Sequence, residues 1–183
     1  MNKYGFIFFI AILLLISGCQ KNDSNDELVK AQNNVNVIAS SFKIPTLDGY
    51  EVSSIRHIFP PKDKQGIFIG DKQDVIVTYT KNKGKMEKTS NEQNEQKVSP
   101  ETEVLYGPYQ GDTIIEITHS NLQNDLDNSG TIVVAEELVK RAKVGEHTFL
   151  VFNTAKGSIT MNFNNLDDDN SLSIAQQVIK ENK

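Results

Sequence analysis

The side chains able to carry chemistry are few. Cys19 supplies the only thiol of the 183-residue chain, which excludes an intrachain disulfide and any multi-cysteine metal site. His57, His119 and His147 lie far apart, without the paired spacing of a zinc site, and read as strand surface residues. The densest set of oxygen donors runs through Asp125, Asp127, Ser129 and Thr131 to Glu136, with Gly130 in its middle. Alternating side-chain oxygens, a backbone carbonyl and a final carboxylate suit a hard cation such as calcium, which binds oxygen ligands. A second acidic cluster, Asp167, Asp168, Asp169 and Asn170, lacks the turn glycine such a loop needs and reads as a charge run opening a helix. Neither a Gly-x-Ser-x-Gly elbow nor a Gly-x-x-x-x-Gly-Lys phosphate loop occurs. No catalytic residue is assigned, and a non-enzymatic protein is expected.

The run from Asp125 to Glu136 resembles the calcium loop of EF-hand proteins. That resemblance implies Asp125, Asp127 and Ser129 as the first ligands, Gly130 at the turn and the Thr131 carbonyl as the next ligand. It also implies Ile132 at the apolar position and Glu136 as the closing bidentate carboxylate. An EF-hand loop is entered by a helix, whereas Thr113-Ile-Ile-Glu-Ile-Thr118 alternates like a strand. Two readings therefore stand: a calcium-dependent binding module, and a polar turn between strands.

Cys19 has a use of its own. Lys3 and the amino terminus precede an unbroken apolar run from Phe6 to Ile16, the positive and hydrophobic regions of an export signal. Eleven helical residues rise only about 16 Å, roughly half the hydrocarbon core of a bilayer, so the segment fits a signal better than a permanent span. The sequence Ile16-Ser17-Gly18-Cys19 resembles the lipobox of bacterial lipoproteins. The resemblance implies removal of residues 1–18, a diacylglyceryl thioether on Cys19, acyl chains of the palmitate kind, and a cell-membrane location on the extracytoplasmic face. Two acyl chains give stable anchoring where one is marginal.

Those features need elements to position them. Residues 19–34 are polar and charged, the composition of a flexible tether whose coil reach is about 20 Å. Residues 35–183 suffice for a single domain. The expected strands are Val35–Ile44, Tyr50–Phe59, Gly66–Ile69, Asp74–Thr80, Thr113–Thr118, Leu138–Val144, His147–Asn153 and Ser158–Asn164, each rich in β-branched or aromatic residues. Turns at Val144-Gly145-Glu146 and Thr154-Ala-Lys-Gly157 predict two hairpins. Lys81–Glu103 has almost nothing to bury and reads as a long polar loop, with a transient helical turn near Asn91–Gln96. From Ser171 a helical period places Leu172, Ala175, Val178 and Ile179 on one face, with acidic residues at its start and Lys180 and Lys183 at its end. The expected fold class is α+β: a mainly antiparallel β-sheet with a C-terminal helix packed on one face.

A net charge of −5, no tryptophan and dispersed lysines argue against nucleic acid, which requires a concentrated basic face. They also leave the lipid, rather than a polybasic patch, to hold the membrane. Segment Pro45–Tyr50, strand Gly157–Phe163 and helix Ala175–Lys180 are together similar to small uncharacterised extracytoplasmic lipoprotein domains of Gram-positive bacteria. That likeness implies location and architecture only. The expected function is a membrane-anchored, non-catalytic binding module for an envelope protein, peptide or lipid, with no cofactor beyond the lipid. A hydrolase without a recognisable motif stands as the third reading.

Overall fold

The computed structural model describes residues 23–87 and 101–183. The segment read as an export signal, Cys19 and the turn expected at 91–96 lie outside the described residues.

Helix α1 (Asp23–Ile38) is followed by strands β1 (Glu51–Ile58), β2 (Asp74–Thr80), β3 (Thr102–Tyr106) and β4 (Ile115–Ser120). Strands β5 (Gly130–Val134), β6 (Glu137–Val144), β7 (His147–Thr154) and β8 (Gly157–Asn164) come next, and helix α2 (Asp168–Asn182) closes the chain. The strands form one antiparallel sheet in the order β3-β1-β2-β4-β8-β7-β6-β5. Its centre follows from alternation. Val77, Ile117, Met161 and Leu150 stand opposite one another across β2, β4, β8 and β7 and are fully buried. Their neighbours two residues away, Val75, Tyr79, Ile115, Ile159, Phe163 and Phe152, extend the same face. Both helices cover that face, and α2 inserts Ala175, Val178 and Ile179 into the core. The expected α+β class, with the C-terminal helix on an antiparallel sheet, is what the chain adopts.

Helix α2 begins where the acidic cluster sits. The Asp167 side chain caps it by accepting the Asn170 backbone N–H at 2.9 Å, and Asp168 and Asp169 occupy the first turn, where a helix dipole favours negative charge. These contacts hold the Asp167 carboxyl below the ordinary carboxylate range. Arg141 on β6 donates to Asp168 at 2.7 Å and depresses its pKa likewise.

Five elements differ from the sequence reading. The segment expected to be a tether is helix α1 from Asp23 onward, because Leu28, Ala31, Val35 and Ile38 recur on one helical face and pack on the core. Val35–Ile44 is therefore not a strand. Its first residues finish α1, and the rest is a return segment whose backbone is held by the Gln32 side chain. The Gln32 amide donates to the Phe42 carbonyl at 3.2 Å and accepts from the Ile44 N–H at 2.8 Å. Gly66–Ile69 forms a loop with one isolated bridge, Lys62 to Phe68, instead of a strand. Strand β3 takes the end of the expected polar loop, and β5 takes the middle of the run read as either a cation loop or a polar turn.

The domain has two distinguishable ends. At one, Glu27 near the start of α1 accepts the Tyr109 hydroxyl at 3.1 Å, beyond the end of β3. At the other, Phe42 after α1 stacks on His119 near the end of β4, 5.1 Å between ring centroids. Helix α2 runs the same way, from Asp168 beside Arg141 to Lys183, which meets Glu137 at 2.8 Å. Both helices thus start at the same end of the sheet.

Candidate functional site

At the end where α1 starts, a cleft of about 450 Å³ opens between that helix and the sheet. Leu28, Val29 and Gln32 form its helical wall, the return segment Ile44–Leu47 and the entry Tyr50–Val52 form the opposite side, and Tyr79, Lys83 and Tyr106 complete the lining. The size falls within the range typical of small-ligand sites, about 300–1,000 Å³.

The hydroxyls of Tyr79, Tyr106 and Tyr109 are engaged. Tyr79 is almost wholly buried and donates to the Pro45 carbonyl at 2.9 Å. Burial, then the Glu181 charge, raises its pKa far above the ordinary phenol. Tyr106 accepts from the Lys83 ammonium at 2.7 Å, and burial is the main cause of its raised pKa. Tyr109, beside the cleft, is pushed up to about 12, by desolvation first and then by its hydrogen bond to Glu27. With their polar ends satisfied, these three tyrosines offer ring surface at the cleft.

Lys83 is the main cation of the site. Its ammonium lies 4.3 Å from the Tyr109 ring centre and 5.2 Å from that of Tyr106, the cation–π arrangement. Lys81 lies 5.4 Å from the ring centre of Tyr50. Neither lysine forms an ion pair among the described residues. Both keep donor capacity for an outside acceptor. Apolar walls, aromatic ring faces and an amine at one end suit an apolar or amphipathic guest. They provide no nucleophile-and-base pair.

The structure separates the predicted cation ligands. Asp125 lies in the β4–β5 connection, caps the Leu126 N–H at 2.8 Å and approaches Lys140 at 3.9 Å. Asp127 begins the next turn, and Gly130 and Thr131 are strand residues of β5, where Thr131 registers with Lys140. Glu136 occupies the two-residue turn after β5, with positive φ there and at Ala135, and its side chain is 92% exposed toward Lys183. From Thr131 to Val134 the extended strand already spans about 10 Å, and Glu136 lies in the turn beyond it, so the closing carboxylate stands at the far end of β5 from Gly130 and Thr131. No entering helix precedes the run, and no group of three His, Cys, Asp or Glu residues suited to a metal occurs among the described residues.

Two of the three histidines are inside the domain, against the surface reading. His57 is 3% exposed, meets the Gln73 side chain at 3.2 Å and packs tilted against Phe59, 4.0 Å between ring centroids. His119 is 6% exposed against Phe42, and burial lowers its pKa. His147 lies half-buried on the opposite sheet face with Asn162 at 3.0 Å. A smaller hollow of about 240 Å³ brings Ser41, His119 and Lys156 together, but no hydrogen bond joins Ser41 to His119. The pair lacks the contact of a nucleophile and its base.

The sequence alone does not reveal the cleft. Its residues come from four separated stretches, and the available signal was the tyrosines: Tyr50, Tyr79, Tyr106 and Tyr109 are four of the chain's five. Compared with family models, curated proteins and solved structures, the chain matches none of them significantly. Among the described residues no helix is long and apolar enough to cross a membrane.

Proposed function

We propose that the protein is a lipid-anchored, extracytoplasmic binding module that acts without catalysis and holds an apolar portion of an envelope peptide, protein or lipid. The observation that carries this reading is the cleft under α1, with aliphatic walls, tyrosine ring faces and the Lys83 ammonium, which bonds the Tyr106 hydroxyl and forms no ion pair among the described residues.

The lipobox at Ile16–Cys19 gives the cleft its setting. From Cys19 to Asp23 the backbone reaches at most about 14 Å, and α1 adds about 8 Å to Leu28. The cleft wall then lies within about 22 Å of the lipidated residue, within reach of the headgroup layer. An amphipathic guest with an anionic end suits this place: its apolar part lies against Leu28, Val29 and the tyrosines, and its charge meets Lys83.

Thermal unfolding of the lipidated full chain, with fatty acids, phospholipids or envelope peptides added singly, tests the reading. A true ligand raises the melting temperature with concentration, and Leu28→Glu abolishes the rise. If no ligand raises it, or if a compound is turned over at the cleft, the reading fails.

A further inference from the structure

The connection between β1 and β2 folds into a fixed hairpin at the end of the sheet opposite the start of α1. Asp63 organises it. Its carboxylate accepts the N–H groups of Gln65 at 2.9 Å and Ile67 at 2.8 Å, and its own N–H donates to the Ile67 carbonyl at 2.8 Å. The Ile69 N–H donates to the Pro61 carbonyl at 2.7 Å, and Lys62 bridges to Phe68. This ordered loop holds its apolar residues in water: Ile67 is 66% exposed, Phe68 48% and Ile69 58%. Three consecutive exposed apolar residues mark an interaction site in a soluble domain. The Phe68 ring is also set in place, with Phe59 at 6.1 Å on centroids and the Lys62 ammonium at 4.8 Å.

Two observations choose the kind of partner. First, β1 runs from Glu51, beside the cleft, to Ile58, before the hairpin, about 23 Å along the strand. If Cys19 carries the anchor, the tip points away from the anchoring bilayer, and to that extent the inference rests on the proposed function. Second, the lysines at the tip are balanced: Lys62, Lys64 and Lys72 stand with Asp63, Asp71 and Asp74, and Lys72 pairs with Asp74 at 3.3 Å. Such a balance offers no basic patch to anionic lipid heads. It suits a protein pocket with a mixed polar rim, where an aromatic anchor between aliphatic residues supplies most of the binding.

We propose that Ile67, Phe68 and Ile69 form a docking tip that inserts into an apolar pocket of an envelope protein standing farther from the membrane than this domain's anchor. Preorganisation by Asp63 lowers the ordering cost of that insertion.

The test places a photoreactive benzophenone amino acid at Phe68 of the full chain in its native cells, with Val144, also exposed but at the opposite end of the domain, as the control position. The expected result is one discrete protein adduct from position 68 and none from 144, lost when Ile67→Asp and Ile69→Asp are combined. The captured protein, purified, then binds the full chain about tenfold or more weakly after Phe68→Ala. Unchanged thermal unfolding of the double variant shows that the loss is not misfolding. A phospholipid adduct, equal adducts from both positions, no adduct, or a captured protein indifferent to Phe68→Ala would each overturn the proposal. Fatty-acid labelling of the same cells separates the two ideas: a missing label with a position-specific protein adduct fails the anchor and keeps the tip.

Discussion

Whether α1 belongs to the domain decides whether the cleft exists, and two valines on that helix settle it. Val35 is fully buried in the core, whereas Val37 is 88% exposed. Val35→Ala removes two methyl-sized groups, worth about 1.6 kcal/mol in transfer at about 0.8 each. The cavity left behind adds to this, for a total of about 2–3 kcal/mol. Val37→Ala leaves no cavity, and its cost stays within about 0.5 kcal/mol. Urea unfolding of the full chain reads the difference. With a slope of about 2 kcal/mol per molar, Val35→Ala lowers the midpoint by about 1 M or slightly more, and Val37→Ala by less than about 0.3 M. Equal, small shifts would mean that α1 hangs free of the sheet, and the cleft would lose its helical wall.

Other expected outcomes follow from single contacts. Gly157 adopts φ +139°, and a Cβ there would stand 2.0 Å from the Ser120 carbonyl oxygen, whereas Gly145, at φ +59°, faces open space. Gly157→Ala should therefore cost more than twice as much in thermal stability as Gly145→Ala, whose penalty is about 1–2 kcal/mol. The pKa of His119 is lowered by burial. Its contribution is fully present above the unfolded value near pH ~6.5 and is lost as pH falls toward the folded value, so His119→Phe should flatten the melting-temperature profile below about pH 6.5. The depressed Asp167 and Asp168 act at lower pH. Their stabilisation holds above about pH 4 and declines as acid reaches their folded values, and Arg141→Gln should weaken that acid dependence. Millimolar calcium should leave the melting temperature of the chain and of Glu136→Gln unchanged, because the Asp125–Glu136 oxygens do not converge; a calcium-dependent rise lost in Glu136→Gln would contradict that geometry.

The centre of the fold is legible in sequence because its residues have one job. Val75, Val77 and Tyr79 alternate with half-buried or polar partners, and β2 begins and ends where that alternation does. Helix α1 is hidden because its inward stripe includes an alanine and is set among Asn, Gln, Asp and Lys, while Val35, Val37 and Ile38 suggest a strand when taken alone. Edge strand β3 buries only Tyr106, so it carries little alternation to find. In β5 the run Gly130-Thr-Ile-Val-Val134 does carry strand propensity, but the donor spacing around it suggested a cation loop; strand pairing with β6 prevailed. Parity would have placed His57 inside, two residues from Ile55. The cleft had no comparable signal. Its walls meet only through the sheet order, which joins β3 to β1 and brings Tyr106 beside Tyr79 and α1.

The claim that the domain works from a lipid anchor is tested most directly by metabolic labelling with a radioactive fatty acid, comparing the parent chain with Cys19→Ala. The parent should carry label and fractionate with membranes, and Cys19→Ala should carry none and accumulate uncleaved or released. Label that persisted in Cys19→Ala, or its absence from the parent, would contradict the account.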